Sequence, residues 1–155
     1  MRRVASSRGL CPEEIAAAQR VFGALIDYSR VRIVNGKYTF AHLKGYVVCP
    51  NGRIYWPNEC GNLVTGDHGM HLRRFIHEMT HVLQHQRGVP VLMKGLLLHA
   101  CRLLTAGLYN PYRYRYQRDR PFSSYNIEQQ AQIAVGIFEG RHENNIDVSC
   151  GDLFR

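Results

Sequence analysis

The chain has 155 residues, of which 45% are hydrophobic, and it carries a formal net charge of +8. These values predict one globular domain spanning residues 1–155 and exclude a repeat array or a low-complexity chain. The excess of basic residues is compatible with binding to nucleic acid, to an anionic membrane face or to an acidic cell-wall polymer. It is equally compatible with an ordinary solvated surface. The basic residues 1–8 are followed by no apolar stretch. We therefore expect no secretory signal, which suits a cytoplasmic enzyme and equally a protein that another machine carries out of its cell.

The first third of the chain predicts one helix followed by a small antiparallel sheet of two hairpins. Residues 12–27 begin with Pro-Glu-Glu and carry apolar side chains at helical spacing. Between residues 30 and 57, alternating segments are separated by two Asn-Gly turn dipeptides, as in hairpins. Arg53–Trp56 is a candidate edge strand that pairs with an extended peptide substrate, and its Tyr55 is a candidate substrate contact. Plain sheet core is the alternative for this strand.

The five cysteines show no C-x-x-C spacing, which argues against a zinc–cysteine site. They are Cys11, Cys49, Cys60, Cys101 and Cys150. Cys49 and Cys60 flank the second turn, so a disulfide across that hairpin is an open alternative in an oxidising compartment. The odd count leaves at least one thiol unpaired, and the location of Cys101 in an apolar stretch favours a buried thiol.

The pattern H-E-x-x-H at His77–His81 is the most informative feature of the chain. It lies in a segment, residues 72–83, whose apolar side chains recur at helical spacing. Residues four apart share a helix face, so His77 and His81 can direct two imidazoles at one tetrahedral zinc ion. Glu78 lies beside the first ligand and is the expected general base for a zinc-activated water. A surface helix with incidental histidines is the alternative.

Two segments after this helix are candidates for the borders of a cleft. Residues 91–108 are strongly apolar, but Lys94 and Arg102 argue against a membrane span, so we expect a buried or lid helix over the cleft. Membrane-surface contact is the alternative for this segment. Residues 109–121 alternate tyrosine with arginine and predict a loop or short strand beside the cleft. A tyrosine hydroxyl there could stabilise an oxyanion, and Tyr114 and Tyr125 are candidates.

A catalytic zinc site usually has a third protein ligand, and Glu128 is the best candidate. The metzincin continuation needs a glycine and a histidine where this chain has Gln84 and Arg87, which excludes that subclass. His85 would drift away from the metal along the helix and fits a surface role better. Glu128 lies in the first turn of a second predicted helix, residues 125–138, and few other acids are available. The alternative is that Glu128 only complements the helix dipole.

Two sequence blocks carry a family resemblance. Residues 75–84, which contain the H-E-x-x-H pattern, together with the Tyr-Asn-Ile-Glu-Gln-Gln-Ala-Gln block at 125–132, resemble a group of bacterial zinc metallopeptidase domains. These domains occur at the C-terminus of VgrG-type spike proteins of type VI secretion systems, and as free-standing VgrG-related proteins. The second block is the more discriminating, because many zincins share the first. Residues 12–15, 51–57 and 110–114 look similar too, so the resemblance runs along most of the chain.

The resemblance implies an α+β, zincin-like fold with an H-E-x-x-H helix and a second helix that carries the third zinc ligand. It implies a gluzincin-like site, with one Zn²⁺ per chain held by His77, His81 and Glu128 and with Glu78 as the catalytic carboxylate. Better-known gluzincins often place an aspartate four residues after the ligand glutamate, to orient a zinc histidine. This chain has Gln132 there. An amide is a weaker acceptor than a carboxylate, so the group that orients each histidine stays open.

The resemblance also implies an antibacterial effector that hydrolyses peptide bonds in periplasmic protein or in peptidoglycan peptides of a target cell. Its expected partners are a VgrG-type spike carrier and a cognate immunity protein, and no transmembrane segment is expected. One alternative is a cytoplasmic housekeeping zinc peptidase. Another is a non-enzymatic module in which zinc is a staple and the basic surface binds nucleic acid or membrane. The intact Glu78 argues against that module, since a structural site needs no base, and we expect no nucleic-acid partner.

Overall fold

The computed structural model describes residues 6–38, 46–57, 63 and 70–146. Within these residues the chain forms a small α+β fold of a three-stranded sheet and four helices. In chain order these elements are β1 (Ser6–Arg8), α1 (Pro12–Phe22), β2 (Arg32–Asn35), β3 (Arg53–Tyr55), α2 (Met70–Gln86), α3 (Val91–Leu104) and α4 (Ile127–Phe138). The α+β prediction and the two predicted helices that carry the candidate ligands are confirmed at this level.

The sheet is mixed, with β2 between an antiparallel β1 and a parallel β3. The predicted antiparallel sheet of two hairpins is therefore wrong. Both edges of β2 are already paired, so no edge is left for Lys37 and Tyr38; residues 39 and 40 lie outside the described residues. The second hairpin is present as a single antiparallel bridge, in which Val48 and Tyr55 exchange backbone hydrogen bonds of 3.3 and 2.9 Å.

An ion pair between the half-buried Arg8 and the buried Glu14 fastens β1 to α1. The carboxylate of Glu14 accepts two hydrogen bonds of 2.8 Å from the guanidinium of Arg8. It also accepts the backbone N–H groups of Cys11 at 2.8 Å and Leu63 at 2.9 Å. Burial raises the pKa of Glu14, but these donors outweigh burial and lower it overall. Helix α1 ends at Phe22, earlier than predicted, because Gly23 takes a positive φ of 52°.

Helices α2 and α4 pack against each other and form the centre of the core. Their apolar side chains are almost fully excluded from solvent, which confirms the helical periodicity predicted for both segments. These side chains are Phe75, Ile76, Met79, Val82 and Leu83 of α2, and Ala131, Ile133, Ala134 and Val135 of α4. This packing brings the face of α2 that carries the histidines against the first turn of α4.

Helix α3 lies against this pair through few contacts. Val91 and Leu98 pack with Ile127, and the helix ends at Leu104, four residues before the predicted boundary. None of the described helices is long and apolar enough to cross a membrane.

The cysteines form no disulfide in the described part of the chain. Cys11, Cys49 and Cys101 form no disulfide with one another; Cys49 is buried, whereas Cys101 is only half-buried. The hairpin disulfide between Cys49 and Cys60 stays an open alternative, because it involves a residue that the structure does not describe. Cys60 and Cys150 themselves lie outside the described residues.

Candidate metal centre

Three ligand-type side chains converge where α2 meets the first turn of α4. His77 and His81, one helical turn apart, direct their Nε2 atoms to a common point, with 3.3 Å between the two nitrogens. The Oε2 atom of Glu128 lies 3.3 Å from His77 Nε2 and 3.7 Å from His81 Nε2. His81 and Glu128 are buried and His77 is half-buried, so the cluster is shielded but reachable. These residues could hold a metal ion.

Capping interactions at the start of α4 fix the position of Glu128. The side chain of Asn126 accepts the backbone N–H groups of Glu128 and Gln129, at 3.0 and 2.9 Å. In return, Gln129 Oε1 accepts the N–H of Asn126 at 3.1 Å, which completes a capping box. The box holds the first turn in one conformation and so holds the carboxylate of Glu128 against the histidines.

A chain of buried amides determines the tautomer of His81. Gln84 is fully buried, and its Nε2 donates to the carbonyl of Ile127 at 3.0 Å and to Oε1 of Gln130 at 2.9 Å. Gln130 is oriented in turn, because its Nε2 donates to the carbonyl of Tyr125 at 2.9 Å. The Oε1 of Gln84 therefore faces Nδ1 of His81, 2.8 Å away. Because an amide oxygen can only accept a hydrogen bond, Nδ1 must carry the proton.

With Nδ1 engaged by Gln84, Nε2 is the nitrogen of His81 that faces Glu128 and can bind a metal ion. The sequence left open which group orients each histidine, and for His81 the structure shows that the group is Gln84. Its signal in the sequence was its position three residues after the second histidine, on the same helix face.

Electrostatics in the cluster favour positive charge at its centre. Burial lowers the pKa of His81, but the adjacent Glu128 carboxylate outweighs burial and raises the pKa of His81 to about 9. Burial raises the pKa of Glu128, but the hydrogen bonds from His77 and His81 hold it well below its usual range. A metal cation would supply this positive charge at the same point.

Glu78 lies beside the cluster with an unsatisfied carboxylate oxygen. The residue is buried, and its Oε2 has no hydrogen-bond partner among the described residues. Burial raises the pKa of Glu78; the two histidines lower it in part and Glu128 raises it further. A buried carboxylate oxygen without a partner costs free energy. That cost is consistent with a group held ready for a ligand or a reacting water.

The cluster lies at one end of a pocket of about 250 Å³. Residues 46–50 form one wall, and Val91, Leu92, Gly95, Leu96 and His99 of α3 form another. This confirms that the 91–108 segment borders the cleft. The predicted edge strand Arg53–Trp56 is not in this wall, because β3 lies between β2 and the Val48 bridge. His85, the rejected ligand candidate, is exposed and does not line the pocket.

None of the three tyrosines proposed from the sequence lines this pocket, so those predictions are corrected. Tyr55 is in edge contact with Tyr38, and its hydroxyl accepts a 3.2 Å hydrogen bond from Asn51. The hydroxyl of Tyr114 lies 2.9 Å from His142 Nε2. The hydroxyl of Tyr125 is buried against the backbone of residues 115 and 117. Their roles are structural.

Two tyrosines line the pocket with the cluster: Tyr46, which is exposed, and Tyr112, which is half-buried. Two side chains from the first turn of α4 hold the loop of Tyr112. Asn126 donates to the carbonyl of Pro111 at 3.1 Å, and Gln129 donates to the carbonyl of Arg113 at 2.7 Å. Burial, and then the negative charge of Glu128, raise the pKa of Tyr112 to about 12, so its hydroxyl stays protonated. That hydroxyl makes no hydrogen bond to any described residue.

Together, the fold and the cluster define an α+β domain with a candidate His-His-Glu metal centre in a pocket. No protein-family model matches the chain. It is 40% identical over 140 residues to the type VI secretion system spike protein VgrG2b of Pseudomonas aeruginosa. That match covers 89% of this chain but only 13% of the spike protein.

A solved structure titled the effector domain of Pseudomonas aeruginosa VgrG2b matches the fold. The TM-score is 0.78 at 38% sequence identity, and the match covers 87% of this chain and 75% of that one. The chain therefore belongs to the family of VgrG2b effector domains.

Proposed function

We propose that the chain is a zinc-dependent metallopeptidase domain of a type VI secretion effector. The observation that carries the proposal is the spacing of the three ligand atoms. A tetrahedral zinc ion with bonds of about 2.0–2.1 Å separates its ligands by about 3.3–3.4 Å. The separations between the ligand atoms of His77, His81 and Glu128 are 3.3, 3.3 and 3.7 Å. Two imidazoles and one carboxylate also form a common ligand set of catalytic zinc.

The residues around the cluster supply the remaining parts of peptide hydrolysis. Bound zinc supplies Lewis acidity and acidifies water. Glu78, whose unpaired oxygen is buried beside the cluster, takes the proton of the attacking water and passes it to the leaving amine. Its raised pKa makes the carboxylate a stronger base for the first of these transfers. The protonated hydroxyl of Tyr112 donates to the oxygen that becomes negative as the tetrahedral intermediate forms.

The wall at residues 46–50 is suited to an extended peptide. Val48 directs both its N–H and its C=O to Tyr55, so strand alternation turns those of Val47 and Cys49 to the opposite side. A peptide paired to that side would lie along the pocket, with Leu92 and Leu96 of α3 facing its side chains. The substrate in this proposal is therefore a peptide segment with apolar side chains near the scissile bond.

Membership of the VgrG2b effector-domain family supports the setting of this chemistry. In our proposal, a VgrG-type spike carries the domain into the periplasm of a rival cell, where it cleaves periplasmic protein or peptidoglycan peptides. A cognate immunity protein protects the producing strain. A housekeeping peptidase would instead act in the cytoplasm of its own cell.

Directed expression of Glu78→Gln tests the proposal. Wild-type protein sent to the periplasm of a test bacterium should stop growth, and wild-type protein kept in the cytoplasm should not. Glu78→Gln should bind metal normally and lose periplasmic toxicity. Glu13→Gln, an equivalent change at an exposed position of α1, is the matched control and should stay toxic. Full toxicity of Glu78→Gln would contradict the peptidase assignment.

A further inference from the structure

Helix α3 exposes an unusually apolar face. Met93, Leu97 and Leu104 are 65%, 64% and 86% exposed, and the exposed surface continues through Leu96, Leu103 and Leu108. Together these side chains present several hundred Å² of apolar surface, comparable with the largest patch of a typical monomer, ~300–600 Å². Patches of this size mark contact sites.

The exposed residues form a stripe along the helix. Met93, Leu97, Ala100 and Leu104 follow spacings of four, three and four, so they share one face. Val91 and Leu98 lie on the opposite face, where they pack with Ile127. The helix is therefore held to the domain by one apolar face while a second apolar face points to solvent.

The charged residues of this stretch of the chain are all positive. From residue 79 to residue 118 the chain contains six lysines and arginines and no acidic residue. Lys94 and Arg102 lie on α3 itself, and Arg113 and Arg115 follow in the exposed loop that carries Tyr112. Among the described residues, none of these four forms an ion pair with an acid. An apolar stripe with unpaired basic neighbours matches a bilayer surface, which offers hydrocarbon and anionic headgroups together.

We propose that the exposed face of α3 docks the domain onto an anionic lipid bilayer, with the helix lying in the membrane interface. A second copy of the chain fits this face less well, because it would bring the same positive charges into contact. At 14 residues, α3 is too short to span a bilayer but long enough to lie in its interface. Because α3 also forms a wall of the pocket, docking would hold the pocket beside the membrane surface.

Vesicle co-sedimentation of the whole chain tests this proposal. Wild-type protein should pellet with phosphatidylglycerol vesicles, bind phosphatidylcholine vesicles at least tenfold more weakly, and dissociate as salt rises. The double variant Leu97→Glu, Leu104→Glu should bind phosphatidylglycerol at least tenfold more weakly. The control Ala16→Glu, Ala24→Glu adds the same charge at exposed sites on and just after α1 and should retain most of the binding.

A second variant reports docking directly. Tryptophan fluorescence of Leu104→Trp should shift to shorter wavelength when phosphatidylglycerol vesicles are added, because the new side chain enters an apolar environment. The absence of that shift, no wild-type binding to phosphatidylglycerol, or equal binding by the two double variants would overturn the proposal. Wild-type dimers that the α3 variant converts to monomers would also overturn it, since the face would then join copies of the chain.

Discussion

Two substitutions of Gln84 distinguish its contribution to zinc binding from its contribution to the stability of the fold. In Gln84→Met, His81 Nδ1–H and Gln130 Oε1 lose their buried partner while the side-chain volume is kept. Each of these two unpaired buried polar groups costs about 1–3 kcal/mol, so the free energy of unfolding of the zinc-free protein should fall by roughly 2–6 kcal/mol. Zinc affinity should fall about 10–100-fold, because nothing then fixes the His81 tautomer.

Gln84→Glu should lower the stability but not the zinc affinity. A carboxylate still accepts the Nδ1–H of His81, so zinc should bind at least as tightly as to wild type. Stability should still fall, because the carbonyl of Ile127 and Oε1 of Gln130 would face an oxygen that has no proton to donate. Urea denaturation of the zinc-free protein and zinc titration against a chelating indicator measure the two quantities.

The control for this pair is Gln132→Ala, at the position where the family resemblance placed an orienting acid. Its side chain makes no hydrogen bond to the described residues, so both quantities should stay close to wild type. The reasoning is refuted if Gln84→Met binds zinc as tightly as wild type, or if Gln132→Ala weakens zinc binding equally.

Two further predictions concern Tyr112 and Glu14. Tyr112→Phe should lower turnover about 10²–10³-fold, measured as a loss of periplasmic toxicity, with unchanged zinc content and melting temperature. Tyr109→Phe, a change in the same loop, should stay fully toxic, and equal toxicity of both variants would remove Tyr112 from the mechanism. Glu14→Gln should destabilise by about 3 kcal/mol at pH 7, since the buried Arg8 contact loses its charge partner. The folded-state pKa of Glu14 is lowered, so its contribution is present above pH 4.5 and is lost as the pH falls through the folded-state value. Urea titrations of both proteins between pH 7 and pH 3 should therefore converge; parallel curves would contradict the assigned role.

The elements that carry the candidate site were predictable because their signals are local. The spacing of His77 and His81 and the apolar period of α2 are properties of one helix. Asn126, the N-cap of α4, and Glu128, in its first turn, likewise depend only on the local sequence at the start of that helix. A capping box and an amphipathic period depend on residues that are close in sequence, so one segment is enough to show them.

The missed features depend on contacts between distant segments. β1 is three residues, Ser-Ser-Arg, without strand periodicity, yet it pairs with β2 and thereby excludes the predicted first hairpin. Four tyrosines lie in the loop that contains Tyr112. Only the hydrogen bonds from Asn126 and Gln129 to the backbone on either side of Tyr112 distinguish it from the other three. The partners of Gln84 lie 43 and 46 residues away, so no local pattern could reveal the network.

The zinc content of the purified protein tests the central claim most directly. Wild type and Glu128→Ala would be dialysed against a graded zinc buffer and analysed for metal per chain, with Glu139→Ala at the other end of α4 as the control. The account predicts one zinc per wild-type and per control chain. It predicts that Glu128→Ala binds zinc more weakly by more than the ~10–100-fold cost of losing an outer hydrogen-bond partner. Zinc bound as tightly without Glu128 would contradict the three-residue site and the peptidase chemistry built on it.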